Sequence, residues 1–133
     1  MIKNQKVKEI KTLRKEAMIL KNLMIVVSKI GIKSSLLLQV SFTKVTLSAE
    51  KSTALVYIFS AFGKEIAEAA IKLLLSYQKQ IHSALCTELQ FRYMPRLRFV
   101  YDAQYEKIIK INDLIVKANQ VNGENNEEKE NNS

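Results

Sequence analysis

His82 and Cys86 are the only histidine and the only cysteine in the chain. Four residues apart, they fall on one face of a helix, where an imidazole and a thiol can share a proton or begin a metal site. Two ligands do not hold a metal, and no other histidine or cysteine exists to complete a set, so neither a metal nor a cofactor is expected. No acid is evidently placed to orient the histidine, and the chain has no glycine-rich phosphate loop and no H-E-x-x-H. These residue types point away from catalysis and toward a non-enzymatic binder without a small-molecule substrate.

Arginine is the more informative residue. The chain has four, and three of them, Arg92, Arg96 and Arg98, fall within "LQFRYMPRLRFVYD" (89–102), while lysine carries nearly all the remaining positive charge. A guanidinium is a planar fork that matches phosphate oxygens and stacks on bases, which a lysine ammonium does not do. Twenty-one basic residues against 13 acidic ones give a net charge of +8. The last eleven residues, "GENNEEKENNS", hold four glutamates and one lysine, so residues 1–122 carry +11. A domain this basic suits a polyanion or an acidic surface.

The elements that must position these residues can be read from periodicity. Residues 3–29 carry Val7, Ile10, Leu13, Met18, Leu20, Met24 and Val27 at near-helical spacing among lysines, and Gly31 ends the pattern. "SLLLQVSFTKVTLS" (35–48) and "TALVYIFSAF" (53–62) are rich in β-branched and aromatic residues, and the short polar "AEKS" between them predicts an antiparallel hairpin. Residues 64–90 are helical, with Ile66, Ala70, Leu73, Tyr77, Ile81, Leu85 and Leu89 on one face. Unbroken, that helix would run about 40 Å, too long for so small a domain, so it should kink at the apolar-poor "SYQKQ" (76–80). "MPRLRFVYD" predicts a third strand, with Leu97, Phe99 and Tyr101 on one face and Arg96, Arg98 and Val100 on the other. A helix over 103–119 follows, and residues 120–133 have the composition of a disordered acidic, asparagine-rich tail. The prediction is one α+β domain over 1–119, a three-stranded sheet with helices on one face.

No apolar run approaches the ~20 residues of a membrane span; "AMILKNLMIVV" is interrupted by Lys21 and Asn22. With one cysteine there is no internal disulfide, and the N-terminal lysines belong to a helical pattern rather than a secretory signal, so a cytoplasmic protein is expected.

In this order the elements resemble the ribosome-binding factor A family from about residue 5 to 115. "VTLSAEKSTALVYIFS" (45–60) is similar to the family's hairpin, and "IHSALCTELQFRY" (81–93) to its third helix. "MPRLRFVYDAQYEKIIKINDLI" resembles its signature Pro-x-Leu-x-Phe-x-x-Asp with an isoleucine-rich helix behind it, and Pro95, Leu97, Phe99 and Asp102 stand in those places. The resemblance implies a type II K-homology-like fold in which helix–kink–helix replaces the GxxG loop. It also implies a monomeric assembly factor that binds the free small (30S) ribosomal subunit and assists late maturation of its 16S rRNA. Where the family's kink carries alanine-x-glycine, this chain has Tyr77-Gln78-Lys79. The residues alone leave two other readings: a general K-homology-like RNA binder, and a protein–protein adaptor whose basic face meets an acidic protein.

Candidate RNA-binding residues follow from charge and place. Arg92, Arg96 and Arg98 lie where a helix exits and a strand begins, suited to rRNA phosphates and splayed bases. The alternative is that they are solvated, or paired with Glu50 or Asp102. Lys79 and His82 follow the kink near a helix N-terminus, where the dipole favours a phosphate. Lys3, Lys6, Lys8, Lys11 and Lys15 form either a cluster along an RNA backbone or the wet face of a helix. Tyr57, Tyr93, Tyr101 and Tyr105 could stack on bases, although strand aromatics more often belong to the core, as expected for Phe42 and Phe99. Cys86 is expected to be buried and inert.

Overall fold

The computed structural model describes residues 9–132, with side chains over 9–119. Its elements are α1 (Ile10–Ile30), a 3-10 turn (Ser35–Gln39), β1 (Ser41–Leu47), β2 (Thr53–Phe59), α2 (Lys64–Ser76), α3 (Gln78–Leu89), β3 (Arg96–Tyr101) and α4 (Ala103–Asn132). This is the α+β order expected from the sequence. Residues 9–102 form one unit and α4 belongs to a second.

β1 and β2 pair antiparallel, with Val45 opposite Val56. β3 joins β2 in parallel, with Phe99 beside Val56, so the strand order is β1-β2-β3. A parallel return needs a long crossover, and α2 and α3 supply it. The hairpin turn is held by Ser48, whose hydroxyl accepts from the N–H groups of Ser52 and Thr53 at 3.1 and 3.2 Å. The first strand is shorter than expected. The Ser34 hydroxyl accepts from Leu36 N–H at 3.2 Å and bends residues 35–39 into the 3-10 turn before β1 begins. β2 likewise stops at Phe59, because Ser60 is buried and donates to the Gln39 carbonyl at 2.7 Å.

Helices cover one side of the sheet. Val45, Leu47, Ala54, Val56, Ile58, Leu97 and Phe99 form a single core with Ile19, Leu23 and Val26 of α1, Ala67 and Leu74 of α2, and Ile81 and Leu85 of α3. Burying each of the valine, leucine, isoleucine and phenylalanine side chains contributes roughly 1.5–3 kcal/mol.

The face of α1 that enters this core differs from the one read in the sequence. Thr12, Glu16, Ile19, Leu23, Val26 and Val27 are buried, whereas Ile10, Leu13, Met18 and Met24 are exposed. Apolar residues surround most of this helix, so its periodicity selects no single stripe. Glu16, a charge that a pattern search assigns to solvent, is buried because its carboxylate accepts from Leu47 N–H at 2.7 Å. Val7, Lys3, Lys6 and Lys8 lie outside the described residues.

The expected kink is present, centred on Tyr77, whose φ of −108° and ψ of 12° separate α2 from α3. That conformation has negative φ, so glycine is not required there and the tyrosine accommodates it. Tyr77 N–H donates to the Leu74 carbonyl at 3.1 Å, and its own carbonyl accepts from Ile81 N–H at 2.9 Å, so the ladder continues through the bend. Gly63, before α2, does need its lack of a side chain, since its φ is +121°.

Taken by itself, α4 is stitched by i,i+4 pairs, Glu106–Lys110 at 3.7 Å and Asp113–Lys117 at 3.1 Å, with Ile108, Ile111 and Ile115 exposed. The tail expected over 120–133 lies outside the described side chains. Among the described residues no helix is long and apolar enough to cross a membrane.

Candidate nucleic-acid interface

In the third strand, two sets of residues alternate. Pro95, Leu97, Phe99 and Asp102 are all buried, and Arg96 and Arg98 between them are exposed. The signature is therefore a packing and hydrogen-bonding frame, and the arginines are what that frame presents. Asp102 is committed to the fold, because its carboxylate accepts from the Thr43 hydroxyl at 2.6 Å. Among the described residues Arg92, Arg96 and Arg98 take part in no ion pair, with Glu50, Asp102 or any other acid. Arg92 lies in the loop after α3, its guanidinium 5.4 Å from the ring centroid of the exposed Tyr93.

The crossover then places the start of α3 against the edge of the sheet. Gln78 Nε2 donates to the Leu97 carbonyl at 2.8 Å, fixing the first turn of α3 beside β3. Between them is an open cleft of about 540 Å³ lined by Gln78, Lys79, His82, Arg96 and Leu97. The structure thus gathers three of the candidate residues, Lys79, His82 and Arg96. Arg98 lies two residues further along the strand and Arg92 in the adjoining loop, and neither lines the cleft.

No acidic residue occupies the first turn of α3. The negative end of α2 meets the positive end of α3 at Tyr77, so the helix dipole is weaker here than at an isolated terminus. The positive potential of the cleft therefore comes chiefly from Lys79 and Arg96, and from His82 when it is protonated. Charges in a concave site against a low-dielectric wall act more strongly than the same charges spread on a flat surface. This chemistry suits an anion held by two or three charge-assisted hydrogen bonds, such as a phosphodiester.

His82 and Cys86 do meet, with Sγ 3.7 Å from Nδ1. Cys86 is exposed, not buried as expected, because the core face of α3 is Ile81 and Leu85, and Cys86 is one step around the helix from Leu85. No three His, Cys, Asp or Glu side chains converge among the described residues, so the pair is not extended into a metal site.

Sequence reasoning missed two contacts that seat the helices, Glu16 to Leu47 and Gln78 to Leu97, because neither a buried glutamate nor a glutamine at a kink has a periodic signal. Each satisfies a backbone group on an edge strand, which would otherwise be open to pairing with another chain. Of the α1 lysines, Lys11 is exposed and Lys15 stands 5.5 Å from the centroid of the Phe91 ring. Phe42 is half-buried at the margin of the core, and Phe99 lies within it.

Comparison with known proteins agrees with this architecture. Residues 11–115 match the family model described as ribosome-binding factor A. A ribosome-binding factor A from Bordetella petrii is 39% identical over 80 residues, which is 60% of this chain and 57% of that protein, so the match spans little over half the relative's length. The solution structure of a Thermotoga maritima protein classed with ribosome binding factor A superposes with a TM-score of 0.62 at 21% identity, covering 71% of this chain and 90% of that one. The crystal structure of ribosome-binding factor A from Thermus thermophilus gives a TM-score of 0.56 at 22% identity, over 68% and 94% of the two chains. A Thermus thermophilus ribosome binding factor A fitted into a cryo-EM map of a 30S complex gives 0.51 at 19%, over 71% and 93%. At these identities the structural likenesses establish the fold, a K-homology-like α+β domain.

Proposed function

Because the chain belongs to the ribosome-binding factor A family, we propose that it is a cytoplasmic, monomeric assembly factor that binds the free small ribosomal subunit and assists late maturation of 16S rRNA. The observation that carries the site is the cleft between α3 and β3, which gathers Lys79, His82 and Arg96 with no acid among its lining residues. Arg92 and Arg98 extend the same basic surface on either side. The mechanism is binding, not covalent chemistry: cations displace counterions from rRNA phosphates and the folded surface selects the shape of the RNA. No metal, cofactor or small molecule enters it.

Sedimentation of a lysate through a sucrose gradient tests the reading. Enrichment with free small subunits, over whole ribosomes and polysomes, and release by moderate salt are expected. A protein that stays at the top of the gradient at low salt overturns it. Association with total RNA but not with free small subunits leaves a general K-homology-like RNA binder. Partners that stay bound after nuclease treatment leave the adaptor.

A further inference from the structure

The side of the sheet opposite the helices carries a second set of groups. Lys44 of β1 is opposite Tyr57 of β2, Leu55 of β2 is beside Arg98 of β3, and Thr53 is beside Arg96. With strands about 4.8 Å apart and alternate residues about 6.7 Å apart, these side chains share a patch roughly 10 Å wide and about 13 Å long. No residue of any of the three strands is acidic. Arg96 and Arg98 are exposed, and Tyr57 is half-buried with Lys44 Nζ 4.6 Å from its ring centroid. Lys44 is itself half-buried, and its contact with the ring is one that a base stacking on the same face must displace.

We infer that this sheet face is a platform for single-stranded RNA, on which Tyr57 stacks against an unpaired base while Arg96, Arg98 and Lys44 meet the flanking phosphates. The inference rests on the proposed function only in taking RNA as the partner. An acidic peptide would need cations alone, whereas this face adds an aromatic ring and the Thr46 and Thr53 hydroxyls, which suit a base and a 2′-hydroxyl. A duplex offers no base face to the ring, so the strand must be unpaired. Arg96 lines the cleft and also stands on this face, so a chain whose phosphate occupies the cleft can continue along β3 toward Tyr57.

The chain has no tryptophan, so a Tyr57→Trp variant contains a single tryptophan, at the stacking position, which can be excited selectively over the remaining tyrosines. It would be titrated with oligoadenylate, with an abasic strand of equal length and with polyglutamate, and binding of labelled strands would be followed in parallel by anisotropy. Oligoadenylate should quench the tryptophan and the abasic strand should not. In the otherwise native chain, Tyr57→Leu should weaken oligoadenylate binding at least about fivefold and leave the abasic strand unaffected. Arg98→Gln, which leaves the core untouched, should weaken both strands alike and serves if the position 57 variants fold poorly. Oligoadenylate that binds without quenching overturns the platform and leaves the cleft reading standing. Polyglutamate that competes as well as RNA overturns the choice of partner. Quenching retained in a Lys79→Gln background that no longer sediments with small subunits would support the platform as a surface separate from the cleft.

Discussion

The Thr43 hydroxyl donates to an Asp102 carboxylate oxygen at 2.6 Å, joining the first strand to the end of the third across 59 positions of sequence. A bulge makes the contact possible. The β1–β2 register shifts between Phe42 and Lys44, leaving Thr43 as the extra residue, with the Tyr57 carbonyl at 3.3 Å as a second, longer acceptor. The Asp of the family signature thus acts in this chain as an anchor for the sheet. Thr43→Val keeps the shape and removes the donor, leaving a buried carboxylate short of one partner. Stability should fall by about 1–3 kcal/mol, read from the urea midpoint at unchanged slope.

Glu16 seats α1 on the sheet by the same logic. Its carboxylate accepts from Leu47 N–H while itself buried, so Glu16→Ala removes the acceptor and strands a backbone donor. A loss of about 1–3 kcal/mol is expected, with Glu16→Gln losing less because its amide oxygen still accepts. Equal losses for the two variants would mean that the charge, not the acceptor, matters.

Gly63 has a φ of +121° and ψ of 160°, a backbone region that side chains avoid, yet a Cβ there would meet nothing within 4 Å. Gly63→Ala should therefore cost about 1–3 kcal/mol through backbone strain alone. A crystal structure of the variant should show no displaced neighbours.

Lys79 and Arg96 face one cleft from two elements, and neither side chain belongs to the core. The Lys79→Gln/Arg96→Gln double variant should melt within about 5 °C of the native chain, since exposed substitutions change stability by no more than about 0.5 kcal/mol each. Its binding to small subunits should weaken, and the log–log salt slope should fall by roughly 0.7–0.9 for each phosphate that the variant leaves unneutralised. An unchanged slope would place the phosphate-binding cations elsewhere, with Arg92 or the α1 lysines the next to substitute.

The class of fold was legible because it depends on local chemistry. β-branched runs around a polar turn specify the hairpin, a helix too long for the domain must bend, and Pro95 opens a strand whose alternate residues face opposite ways. From alternation alone, Arg96 and Arg98 could be assigned to the face opposite Leu97 and Phe99, and the structure has them so. Polar groups buried for the sake of a distant backbone atom were not legible. Glu16, Gln78, Thr43 and Asp102 each bond to a partner supplied by another element, and nothing in their immediate neighbours encodes that meeting.

The order of helices and strands, the net positive charge and the alternation that exposes the third-strand arginines were all readable from local residue chemistry. Packing across the fold settles which stripe of α1 is buried, since a helix apolar on most sides takes its inner face from whatever it packs against. It also decided that Cys86 is exposed and that Lys79 and His82 share a cleft with Arg96. That cleft exists because a parallel crossover returns the chain beside its own kink, bringing residues 79 and 96 to one place. Spacing along a chain fixes neighbours within a turn or a strand, but only packing fixes neighbours across the fold.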